Sequence, residues 1–181
     1  MVASILALIF TGVSPILGLR IAWLDLHWMS VLLLTFLVVA HIICASFLKD
    51  FKSMLLVPKD FGEPFDSSRK PGKYYFEQKG MHWAVTVVTL AVIVTGVLMF
   101  MQIDTPFWDR TNSMAEDQLG LVFLLHGLST LALVALAATH IYFALRPEKI
   151  YYTRSMISGW MSEDELAANH DPGQWSPKEA D

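Results

Sequence analysis

Residues 119–145 read LGLVFLLHGLSTLALVALAATHIYFAL, 27 positions without one Asp, Glu, Lys or Arg. An uncharged run of that length crosses a hydrocarbon core of about 30 Å as a helix, with some tilt. Two histidines sit inside it, His126 and His140, and an imidazole at that depth is costly without a task or a partner. Their spacing of 14 residues is close to four turns, so they share a helix face to within about 40° and stand about 21 Å apart along it. A second apolar run, LHWMSVLLLTFLVVAHIICASF, repeats the arrangement with His27 and His41, again 14 apart. Two matched pairs at two depths are what bis-histidine ligation of two haems requires, because each iron takes an axial nitrogen from each of two facing helices. Zinc requires a closed tetrahedral cluster at one depth, which pairs separated by about 21 Å do not make. The alternative for such histidines is packing or proton relay in a haem-free membrane anchor or transporter-like subunit. Cys44 is the single cysteine and no Cys-x-x-Cys-His occurs, so a haem here is held without covalent attachment, as haem b.

A hydrophobic content of 54% in 181 residues with positive mean hydropathy belongs to a small integral membrane protein. Basic residues interleaved with aromatics, the footprint of a nucleic-acid binder, are absent. The sequence predicts an all-α membrane protein, a four-transmembrane-helix bundle with two haems b stacked across the bilayer. The expected helices cover 2–18, 22–48, 81–102 and 119–145, with a loop at 49–80, an interfacial segment at 146–161 and a tail at 162–181. The first helix carries no histidine, and Pro15 bends or ends it. In the third, Gly96 of Thr95-Gly96 permits close approach of a macrocycle or of a neighbouring helix.

Charge sets the expected orientation. The 49–80 loop holds seven of the thirteen basic residues, while 103–118 holds four acidic residues against Arg110 alone. The positive-inside rule then puts the 49–80 loop and both termini in the cytoplasm. His27 and His126 fall near the outer surface, His41 and His140 near the inner one. Ser162 to Glu165 has the form of a capping box and starts a short helix. His170, in the polar terminal segment, stands apart from the ligand candidates.

The stretches GKYYFEQKGMHWAVTVVTLAVIVTGVLM (72–99) and LLHGLSTLALVALAATHIYFALRPEKIYYTRSMISGWMS (124–162) resemble the membrane cytochrome b (gamma) subunit of respiratory formate dehydrogenases and related molybdenum enzymes. Gln78-Lys79 before the third helix, Thr95-Gly96 within it, Leu125-His126 and His140-Ile141-Tyr142 of the fourth, and the Arg-Ser-Met-Ile-x-Gly-Trp tail carry the likeness, which covers roughly the second half of the chain. The resemblance implies two haems b, a bacterial inner-membrane location, a menaquinone or ubiquinone site, and partners in an iron–sulfur electron-transfer subunit and a catalytic oxidoreductase subunit. By that likeness His27 and His126 ligate the outer haem and His140 one side of the inner haem. The family takes the remaining inner ligand from its first helix, which has no histidine here. The 14-residue spacing supplies His41 instead, with His82 at the start of the third helix as the alternative. The same likeness puts the quinone pocket at the approach to the third helix, on Tyr75, Glu77 and Gln78, where Tyr75 and Glu77 replace an Asn and a Gly of the family.

Overall fold

The computed structural model describes residues 2–48, 51–66 and 69–175. Lys49, counted above among the basic residues of the loop, and positions 176–181 of the tail lie outside them. The described residues are helical with short 3-10 turns: α1 Val2–Val13, α2 Trp23–Leu48, α3 Phe76–Phe100, α4 Glu116–Leu145, α5 Ile150–Ser158 and α6 Glu163–Asn169, with turns at Phe51–Met54, Pro58–Phe65 and Pro147–Lys149. Contacts divide the chain into two compact units, 1–49 with 87–134, and 50–86 with 135–181.

Helices α2, α3 and α4 are long and apolar enough to cross a membrane. Their surfaces explain the environment they need. Phe36 is 69% exposed and Leu131 68%, large apolar side chains that a monomer in water does not display in such numbers. Helix α1 is shorter than the sequence suggested. It stops at Val13 instead of 18, and its 12 residues rise about 18 Å, well short of a span. Pro15 has no N–H to continue the ladder and disfavours helical geometry in the residue before it. The chain turns instead, with Leu19 N–H on the Ser14 carbonyl at 3.0 Å and Gly18 in the left-handed region at φ 67°, where only glycine is unstrained.

In the first unit the buried residues are Leu34, Val122 and Leu133 together with the hydroxyls of Ser4, Thr11, Ser14, Thr89 and Thr95. Thr11, Ser14 and Thr95 return their hydroxyls to their own helix, Ser14 to the Phe10 carbonyl at 2.7 Å, which makes a polar side chain tolerable in an apolar span. Helix α4 opens with Glu116 and Asp117 in its first turn, favourable at the positive end of the helix dipole, and Gln118 Oε1 accepts the Ala115 N–H at 3.0 Å. Those caps bring its start forward to 116 from the expected 119.

The second unit is built differently. Helix α3 starts at Phe76, five residues before the expected 81, because its polar first turn is satisfied. Gln78 Oε1 accepts the Tyr75 N–H and Glu63 Oε2 accepts the Phe76 N–H, both at 2.9 Å, so two of the four orphan donors are paired. Lys79 reaches Asp60 at 2.8 Å, and both are buried. Asp60 also accepts the Val57 N–H at 2.9 Å. This pair, with the 3-10 turns, gives order to the segment before α3. The tail follows the sequence reading: Ser162 and Glu165 form the capping box of α6.

Candidate haem-binding site

The sequence pairs each histidine with one on the facing helix, and the structure brings the first of these pairs together. His27 of α2 and His126 of α4 face each other with ring centroids 6.4 Å apart and planes at 72°. A metal held between two imidazoles at about 2 Å from each nitrogen places the centroids about 6 Å apart. The rings therefore already stand at the separation that a shared iron demands.

Each ring is fixed by a threonine on a third and fourth element. Thr11 Oγ1 of α1 lies 2.9 Å from His27 Nδ1, and Thr95 Oγ1 of α3 lies 2.9 Å from His126 Nδ1. Each hydroxyl also lies 2.7 Å from a carbonyl one turn back, Ala7 for Thr11 and Ala91 for Thr95. A carbonyl only accepts, so the single hydroxyl proton goes there. The threonine oxygen then accepts the Nδ1 proton, and the lone pair of each imidazole is on Nε2. That is the tautomer a metal-binding histidine takes when its other nitrogen is held by an outer partner.

Glycine follows threonine in both places. A Cβ on Gly96 would meet His126 Cε1 at 3.4 Å, and one on Gly12 would meet His27 Cε1 at 3.7 Å. The two sites also share sequence: Thr-Gly-Val at 11–13 and 95–97, Leu-His-x-x-Ser at 26–30 and 125–129. Seven residues after each of these histidines stands a leucine, Leu34 and Leu133, and both are buried. Seven further on stand His41 and His140. On each helix the stripe therefore reads histidine, buried leucine, histidine along one face.

Thr11 and Gly12 go unmarked by a search for ligands, because α1 carries no histidine and contributes only a partner to one. The signal was the second Thr-Gly-Val, visible as an internal repeat. His41 and His140 are both exposed, the first in the unit of residues 1–49 and 87–134, the second in that of 50–86 and 135–181. His82 packs edge-on to Trp83 at 5.9 Å between centroids, and Trp83 Nε1 donates to the Met54 carbonyl at 3.0 Å. Among the described residues no group of three or more His, Cys, Asp and Glu side chains is arranged to hold a metal ion.

At the approach to α3, Tyr75 donates its hydroxyl to the Asn169 carbonyl at 3.0 Å and packs edge-on to Tyr152. Burial pushes the Tyr75 phenol up, so it remains protonated. Gln78 is engaged as the helix cap, and Glu77 is exposed. Of the three polar residues that open α3, Glu77 alone faces solvent, while Lys79 is buried.

Residues 60–159 match the prokaryotic cytochrome b561 family. The chain belongs to that family. Membership makes it a multi-pass membrane protein with a haem b electron-carrying role. The matched range contains α3, α4 and α5 with His82, His126 and His140. The residues present fit the group: two imidazoles with ring centroids 6.4 Å apart, each held at Nδ1 by a threonine and flanked by a glycine, are donors suited to a haem iron. Helices α1 and α2 lie outside the match, yet the contact between His27 and His126 ties them to it. No curated protein matches the chain at a significant level.

Proposed function

We propose that this cytochrome is the membrane-anchoring di-haem b subunit of a respiratory oxidoreductase, of the kind represented by the gamma subunit of formate dehydrogenase-like complexes. It carries electrons between an iron–sulfur partner and the quinone pool. The observation that carries the reading is the His27–His126 pair, 6.4 Å between ring centroids with both Nδ1 atoms on threonines. When bound there, haem b supplies reversible one-electron exchange at its iron. Each imidazole is held at Nδ1 and keeps its Nε2 lone pair for a metal, and the two rings stand close enough to share one.

A second haem b on His41 and His140 follows from the spacing in the sequence and from the stripe each helix shows, with His82 as the alternative inner ligand. The basic residues of 49–80 orient that loop and both termini to the cytoplasm. The quinone, menaquinone or ubiquinone, then docks at the approach to α3. Glu77 is the exposed carboxylate that relays protons there, and the Tyr75 and Gln78 side chains hold the local backbone in place.

The test is a reduced-minus-oxidised spectrum of the purified chain with its haem-to-chain ratio. The wild type is expected to give two b-type haems, and His27→Ala and His126→Ala are each expected to lose the same one. Purification without haem from haem-replete cells, or full haem content in both variants, overturns the assignment.

A further inference from the structure

We propose that Thr11 and Thr95 are positioning residues for the two facing imidazoles, and that the short helix α1 serves to supply one of them. The proposal rests on His27 and His126 being haem ligands and adds what tunes them. Back-bonding of a threonine hydroxyl to its own helix is ordinary in apolar spans. Thr86 does it to the His82 carbonyl and Thr139 to the Ala135 carbonyl, both at 2.8 Å. What distinguishes Thr11 and Thr95 is that the same back-bond leaves the oxygen lone pair pointing at an Nδ1 atom, at 2.9 Å in both places.

The chemistry follows from the proton count. A hydroxyl whose proton is committed to a backbone carbonyl is a fixed acceptor and cannot turn into a donor. It draws the Nδ1 proton and makes the imidazole a stronger electron donor through Nε2. A stronger donor favours the ferric over the ferrous state, so each threonine lowers the reduction potential of the iron bound between the rings. The hydroxyl also locks ring rotation, which fixes the 72° between planes. Because α1 is too short to span and holds no histidine, its Thr11-Gly12 contact with His27 is the part of the site that it contributes. The repeat on α3, Thr95-Gly96 against His126, does the same from a full-length helix.

The experiment uses the full chain with its haems, as Thr11→Val, Thr95→Val, Thr11→Ser and Thr95→Ser. Haem content, midpoint potential and the low-spin ferric electron paramagnetic resonance signal are read for each. The valine variants are expected to keep their haem and raise the midpoint of the His27–His126 haem. The ferrous-to-ferric ratio at fixed potential should rise by about two- to tenfold, the worth of one neutral hydrogen bond. The resonance signal of that haem changes as its ring is freed, and the serine variants restore both readings. Unchanged midpoint and signal in the valine variants overturn the proposal, as do serine variants displaced as far as valine ones. If valine abolishes haem binding, the serine variants decide: native potential supports the role, and loss of haem overturns it. The ligand assignment fails separately, by full haem content in both His27→Ala and His126→Ala.

Discussion

In the apolar unit, His27 and His126 each give Nδ1 to a threonine, and among the described residues Nε2 takes no hydrogen bond. In the polar unit, His170 uses both nitrogens. Its Nδ1 lies 2.7 Å from the Gly72 carbonyl and its Nε2 3.2 Å from the Tyr152 hydroxyl. His170 is 1% exposed, packed against Trp175 and Tyr75, and pins the tail to the segment before α3. The contrast teaches how to tell a ligand from a structural histidine. An imidazole satisfied on both sides is closed to a metal, whereas one held on a single side is oriented and still has a lone pair. The same contrast runs through the rest of each unit. The polar residues buried in the first are neutral hydroxyl side chains, while the second buries the Asp60–Lys79 ion pair and carries Arg154 against Glu165.

The sharpest way to break the comparison is to exchange outcomes between the two kinds of histidine. His126→Ala should halve the haem-to-chain ratio and leave the tail resistant to protease. A protein that keeps all its haem and loosens its tail would reverse the assignment.

The next effect is on stability and belongs to the polar unit. Lys79→Met leaves Asp60 buried without its partner and should cost about 3–5 kcal/mol, whereas Asp60→Leu with Lys79→Met should be near neutral. Thermal unfolding in detergent measures both, and equal losses in the single and double variants would show that the charges do not compensate each other.

His170→Ala removes two hydrogen bonds and should cost about 1–3 kcal/mol. Limited proteolysis is expected to release the segment after Gly159, with the haem spectrum unchanged. A shifted spectrum would mean that the tail histidine reaches the redox site after all.

Within the apolar unit the two glycines differ slightly. Gly96→Ala puts a Cβ at 3.4 Å from His126, at the near edge of ordinary contact, and should shift the haem band slightly; Gly12→Ala, at 3.7 Å, should be close to silent. Equal shifts would make the two sites more symmetric than their spacing indicates.

The smallest effect is one of pH. Glu165 is held below its ordinary value by the Ser162 backbone N–H, and Asp171 by Gln174 and the Gly173 N–H. A depressed carboxylate contributes above its ordinary pKa of about 4 and loses that contribution as pH falls through its folded value. Protease cleavage of the tail should therefore rise only below about pH 4. A rise between pH 7 and 5 would point to a different group.

Three spans and the histidine stripes were legible in the sequence. Hydropathy over 20 or more residues and a 14-residue repeat need no partner to be read, because a helix in lipid satisfies its own backbone. The capping box at Ser162 was legible for the same reason, since its donors and acceptors lie within one turn. The end of α1 at Val13, the early start of α3 and the burial of Lys79 were not. The last two depend on groups far apart in the chain, Glu63 for the Phe76 N–H and Asp60 for Lys79, whereas the end of α1 is local, and Pro15 marks it without fixing the residue at which the turn begins. Local polarity around residues 77–79 reads as solvent exposure until a distant carboxylate supplies the charge balance. The His27–His126 pair divides between the two. Spacing along α2 and α4 set which faces carry the histidines. Only the tertiary structure decided that a threonine stands behind each, because a side-chain hydrogen bond between helices is a matter of ångströms that periodicity along one helix does not encode.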